Sequence, residues 1–141
     1  MCIRDRLCYD HIAGRLGTSL TDALVTHGHV ELGTDGGAVT ARGEIFLHEL
    51  GIDVARLRRH RRIFCKPCLD WSERRPHLAG AVGAALATRL LELRWITRVR
   101  DTRVLTVTPI GGMRIEETFG MADVPERAAA VGHAAAPATL S

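Results

Sequence analysis

Aromatic side chains are scarce. They make up 4% of the 141 residues, so any core here rests on leucine, valine, isoleucine and alanine. Lysine is almost missing: all but Lys66 of the 19 basic residues are arginine. That bias reads mainly as genome base composition, with phosphate recognition a second reason. Long apolar runs are missing too. The longest, residues 78–87, is about half the length of a bilayer span. The start carries no apolar h-region of a secretory signal. These absences predict a cytoplasmic protein whose cysteines are thiols or metal ligands rather than structural disulfides. Hydrolase and transferase signatures are absent as well. There is no G-x-S-x-G, no glycine-rich phosphate loop followed by Lys-Ser/Thr, and no H-E-x-x-H. Asp10-His11 has no evident nucleophile beside it, so the expectation is a chain that is not an enzyme.

What remains is enough to fold. A hydrophobic content of 46% supports a packed core and argues against wholesale disorder. The net charge of +3 is too small to indicate nucleic-acid binding by itself. Met1-Cys2-Ile3-Arg4-Asp5-Arg6 looks like a translated adapter remnant from a metagenomic assembly, so residues 1–6 are expected to be non-native. Cys2 then drops out, leaving Cys8, Cys65 and Cys68. Native sequence would begin near Leu7, and the chain would be a fragment.

The periodicity predicts a mainly α fold with two small β-hairpins, built from winged-helix-like repeats. Residues 7–16 read as the end of a helix, and Thr18 or Ser19 as the cap of the next, over 20–27. Strands are expected at 30–32 and 38–40, around the turn Gly33-Thr34-Asp35-Gly36-Gly37. A helix follows over 41–50, then a short one capped by Asp53. Pro76 suits the first position of a long helix carrying Leu78, Val82, Leu86 and Leu90 on one strip. Its many small residues, Ala79 to Ala85, would let a neighbouring helix approach closely. Runs 95–100 and 103–108 form a second hairpin, and Pro109 opens a last helix ending at Gly120. An internal repeat relates residues 23–51 to 89–120 as helix, hairpin, helix. The domain reading is therefore a first unit over 7–62, a Cys-x-x-Cys loop over 63–76, a second unit over 77–120 and a disordered tail over 121–141.

Three stretches carry a resemblance. They are Cys8-Tyr9-Asp10-His11-Ile12-Ala13-Gly14-Arg15-Leu16-Gly17, Val39-Thr40-Ala41-Arg42-Gly43, and the run from Phe64-Cys65-Lys66-Pro67-Cys68-Leu69-Asp70-Trp71-Ser72-Glu73-Arg74-Arg75 through Pro76-His77-Leu78-Ala79-Gly80. Their order resembles the C-terminal half of certain bacterial ArsR-type helix-turn-helix regulators. The resemblance implies a transcriptional regulator that works as a homodimer. It also implies that the DNA-reading winged helix lies ahead of Cys8, outside this chain. No DNA-reading residue carries over.

The chemistry centres on Cys65-Lys66-Pro67-Cys68. C-x2-C is half of a four-ligand zinc site. Cys8 and His11, at i and i+3 on the expected helix, could supply the other half as a Cys3His set. His60 and His77 are further candidates. The cofactor expectation is zinc or another thiophilic metal. A redox-sensitive thiol pair and inert buried cysteines stay open beside it. A stand-alone zinc or thiol module without DNA binding is the competing function. Arg61, Arg62 and Lys66 would favour the thiolate. For nucleic acid, the candidates are Arg58, Arg59, Arg61 and Arg62 in the basic run and Arg98, Arg100 and Arg103 in the second hairpin. A solvated basic face is the plainer reading of both.

Overall fold

The computed structural model describes residues 5–70 and 74–121. The expected tail past residue 121 and the first four residues lie outside them. Among the described residues, eight short strands and five helices follow in a repeating order of hairpin and helix. In the first repeat, β1 (Arg6–Cys8) and β2 (His11–Ala13) form a hairpin, followed by α1 (Gly14–Thr26). A second hairpin, β3 (Val30–Leu32) and β4 (Gly37–Val39), leads into α2 (Ala41–Leu50). After the short α3 (Val54–Arg58) the order recurs. β5 (Lys66–Asp70) and β6 (Arg75–Ala79) pair, α4 (Gly80–Glu92) follows, then β7 (Ile96–Arg98), β8 (Leu105–Val107) and α5 (Pro109–Phe119). All four hairpins are separate two-stranded antiparallel ribbons.

The expectation of a mainly α chain with two hairpins is therefore corrected. Strands take 25% of the structure and helices 46%, and there are four hairpins. The two unexpected ones precede α1 and α4. The repeat is hairpin–helix–hairpin–helix, longer than the helix–hairpin–helix unit read from sequence. Three-residue strands such as β1 and β2 are too short to display alternation. The β1–β2 turn also has no glycine to announce it; instead Tyr9 adopts a left-handed conformation, φ 62°. In the third hairpin Pro67 and Pro76 argue against strands. Both are accommodated because they sit on pairs two apart in register, Pro67 with Leu78 and Leu69 with Pro76. The N–H groups of such alternate pairs face away from the partner strand. Leu78 accordingly donates outward, to Thr21 Oγ1 at 2.8 Å.

The first hairpin of each repeat turns into its helix at a glycine with positive φ, Gly14 at 82° and Gly80 at 79°. The helices then cross over. α1 packs on β6 and α4 packs on β2, so each repeat's helix covers the other repeat's strand. Gly17 and Gly83 let each helix fold back closely onto its own hairpin. A Cβ on Gly17 would collide with the Ile12 carbonyl, and one on Gly83 with the Leu78 carbonyl. The core between the repeats is aliphatic: Leu16, Leu20, Leu24, Leu47, Leu90, Ile96 and Ile115 are each no more than 1% exposed. Phe46 of α2 meets Phe119 of α5 edge-on, with ring centroids 5.3 Å apart. No helix among the described residues is long and apolar enough to cross a membrane.

The second hairpin of each repeat delivers a threonine cap. Thr40 accepts from Gly43 N at 3.0 Å and Thr108 from Gly111 N at 2.9 Å. Each hydroxyl also donates back to the preceding helix end, to Gly28 O and Arg94 O. Thr40→Ala and Thr108→Ala should each cost about 1 kcal/mol, with near-equal shifts in the urea midpoint. A shift at one site and none at the other would break the equivalence of the repeats.

Candidate metal centre

Register places the chemistry. In β1–β2, Cys8 lies directly opposite His11; in β5–β6, Cys68 lies directly opposite His77. Directly opposed residues of an antiparallel pair project from the same face. Each hairpin thus presents one thiol and one imidazole side by side. The crossed packing of α1 and α4 brings the two pairs together. One ligand atom from each of Cys8, His11, Cys68 and His77 lies within 4.8 Å of the other three. The imidazole Nε2 atoms are hydrogen-bonded to each other at 2.9 Å. The glycines that allow the helices to pack also seat these rings. A Cβ on Gly83 would stand 3.3 Å from the His11 Cβ, and one on Gly17 would stand 3.5 Å from the His77 Cβ.

The four side chains could hold a metal ion. Two thiolates and two imidazoles are a ligand set of structural zinc. Tetrahedral bonds of roughly 2.0 Å to nitrogen and 2.3 Å to sulfur separate ligand atoms by roughly 3.3–3.8 Å. The imidazoles would open by a few tenths of an ångström, and the widest pair would close by roughly 1 Å. Movements of that size fall within side-chain adjustment.

The surroundings prepare His11. Its Nδ1 lies 3.3 Å from Asp10 Oδ1, which fixes the proton on Nδ1 and leaves Nε2 for a metal. Burial holds His11 below the usual imidazole value, against the pull of Asp10, so the neutral ring is favoured. Burial alone would raise Asp10, but bonds from Arg62 and His11 outweigh it and its carboxyl lies below the usual range. Arg62 pairs with Asp10 at 2.7 Å, and Arg103 donates to the Tyr9 carbonyl at 2.8 Å. Two arginines considered for DNA therefore brace the β1–β2 turn.

The candidate residues divide plainly. Cys8, His11 and Cys68 come together, and His77 makes the fourth member. Cys65 stands apart, buried in the aliphatic core beside Gly37. Burial pushes its thiol up to about 11, although Arg58 pulls the other way. The reason lies in backbone geometry. C-x2-C shares an ion when both thiols turn to one side; here Cys68 lies in β5 opposite His77, while Cys65, in the bend just ahead of β5, is buried in the core. Cys8 and His11 meet across a hairpin, not along a helix face. His60 is exposed beyond α3. Arg58 pairs with Glu44 and lies over the Phe64 ring. Arg98 donates to the Thr102 carbonyl, and Arg100 lies 3.9 Å from Asp101. Arg59 and Arg61 face solvent.

His77 had a signal in the sequence. His11-Ile12-Ala13-Gly14-Arg15-Leu16-Gly17 and His77-Leu78-Ala79-Gly80-Ala81-Val82-Gly83 share the histidine, the alanine and both glycines, with aliphatic residues at Ile12/Leu78 and Leu16/Val82. Aligning them carries the repeat back to the ligands. The thiols also differ in reactivity. Burial keeps the Cys65 thiol protonated and out of reach of solvent. Alkylation of the folded, metal-free chain followed by peptide mass mapping should modify half-buried Cys8 and Cys68 and spare Cys65. Modification of Cys65 at the rate of the other two would contradict this placement.

The chain is similar to a protein of Bacillus subtilis (strain 168) described as the uncharacterized HTH-type transcriptional regulator YdfF. The two are 42% identical over 112 residues, covering 79% of this chain and 50% of that protein. The chain thus spans about half the length of the curated relative it matches. No family model and no solved structure matches the chain.

Proposed function

We propose that this chain is the sensing half of a bacterial transcription regulator of the ArsR type, acting as a homodimer. DNA is read mainly by a part of the protein outside these 141 residues. Identity of 42% across 79% of the chain with an HTH-type regulator carries this reading. The coverage of half that protein leaves room for a separate DNA-reading domain. Cys8, His11, Cys68 and His77 form the sensing site and take zinc or another thiophilic metal. Any contact this half makes with the DNA backbone falls to the solvent-facing arginines, Arg59 and Arg61 among them.

The test uses the full-length gene product and DNA from its own promoter region. Binding measured at fixed salt should change at least about tenfold between zinc-loaded and chelator-treated protein, a coupling of roughly 1.4 kcal/mol. Absence of DNA binding in both states would defeat the regulator reading. A second reading has its own support. The Cys8 and Cys68 sulfurs lie close enough for a thiol pair to respond to oxidant. A zinc or thiol module without DNA binding would leave promoter DNA unbound while retaining metal or oxidant chemistry.

A further inference from the structure

We infer that the cluster is an exchangeable clasp: one four-coordinate thiophilic divalent ion joins the two repeats and is loaded and unloaded through the sulfur side. This rests on reading the four residues as a metal centre, and adds how the ion binds and how it leaves.

Each repeat owns one thiol and one imidazole, which is half of a closed tetrahedral site. A single ion satisfied by four ligands therefore bonds across the repeats. Two sulfurs and two nitrogens favour zinc, cadmium or cobalt over magnesium or calcium, which prefer oxygen. The site has a floor and a rim. His11 and His77 are buried, at 6% and 1% exposure, while Cys8 and Cys68 are only half-buried. The residue after each cysteine points outward: Tyr9 is 77% exposed and Leu69 48%. Solvent, chelators and small thiols can therefore approach the sulfurs but not the imidazoles.

The floor is held by the fold itself. His11 packs by Gly83 of the other repeat and His77 by Gly17, beneath an aliphatic core that includes no ligand. Small zinc domains whose ligands substitute for a core unfold when stripped. This chain has its own core, so removing the ion should loosen β1–β2 and β5–β6 and leave α1 and α4 in place. Asp10 acts as a positioning residue, holding His11 with Nε2 toward the ion.

The experiment loads the full chain with zinc alone, then adds a chromophoric chelator in excess. One zinc per chain should transfer within minutes, with the far-UV circular dichroism unchanged. Amide exchange should then accelerate in β1–β2 and β5–β6 and stay slow in α1 and α4. Asp10→Asn, which keeps size but weakens the hold on His11, should lower zinc affinity about 10–100-fold. Cys8→Ser serves as a second variant and should speed transfer further. Zinc that resists the chelator for hours, or a helical signal that collapses on its removal, would overturn the exchangeable clasp and leave a metal centre standing. Failure of the chain to bind zinc would overturn both.

Discussion

A single methyl group at residue 111 should destabilise the chain by about 3 kcal/mol, the upper end of the usual cost of overpacking. Gly111 opens α5 where the helix lies against the backbone of Trp95. A Cβ there would collide with the Trp95 carbonyl oxygen and carbon. That carbonyl cannot swing aside freely, because it accepts from Thr108 N at 3.1 Å. Gly43 is the counterpart in the first repeat. Its Cβ would collide with the His29 carbonyl, which accepts from Thr40 N at 3.0 Å. Gly43→Ala should therefore cost about as much. Gly36→Ala is the control. Nothing lies within 4 Å of that position, so its effect should stay within about 0.5 kcal/mol. Urea unfolding of the three variants settles the matter. Equal midpoints for Gly111→Ala and Gly36→Ala would mean that the helix does not seat as described.

Cys68→Ser should weaken zinc binding by more than about 100-fold, beyond the range of losses from outer partners alone. Serine preserves the volume and removes the thiolate. Cys8→Ser should do the same to a similar degree, since the two thiols hold equivalent positions in the two repeats. Cys65→Ala should leave the affinity within about threefold of the parent, the spread expected of a change that touches no ligand. It does remove a buried side chain, so its stability falls while its metal binding persists. Competition titration with a chelator of known affinity reads all three. Loss of zinc in Cys65→Ala, with Cys8→Ser unaffected, would place the site around the Cys-x-x-Cys segment instead.

Much of the second half of each repeat is readable from sequence. The turn Gly33 to Gly37 announces β3–β4, and Thr40 with Gly51 brackets α2 at the residues observed. Pro109 at the start and Gly120 at the end bracket α5 in the same way. Asp53 caps α3, as its spacing suggests. These signals are local: a cap or a turn works through its own backbone. The first half of each repeat is opaque for the opposite reason. β1 and β2 are three residues each, and β2 packs against α4 of the other repeat. Cys8-Tyr9-Asp10-His11 runs into α1 and reads as more helix. Pro76 reads as a helix start, yet it sits in β6, and α4 begins four residues later.

The candidate site was half legible for related reasons. Cysteine and histidine at short spacing point to a metal, and three of the four members fall within that pattern. Local spacing, however, favours Cys65 as the partner of Cys68, whereas Cys65 sits in the bend ahead of β5 and is buried in the core. His77 becomes a partner only through β5–β6 register, and the two repeats converge only through the crossed helices. Asp10 and Arg62, 52 residues apart, meet by the same route. None of this leaves a mark within a short sequence window. The matched His-x-Ala-Gly-x-x-Gly stretches do, because they place His11 and His77 at equivalent positions ahead of α1 and α4.

The most direct test of the metal centre is X-ray absorption at the zinc edge on the zinc-loaded chain. Two sulfur neighbours at about 2.3 Å and two imidazole nitrogens at about 2.0 Å are the predicted shell. A shell of three sulfurs and one nitrogen would bring Cys65 into the site and contradict the placement of Cys8, His11, Cys68 and His77 around one ion. So would a shell of oxygen and nitrogen without sulfur.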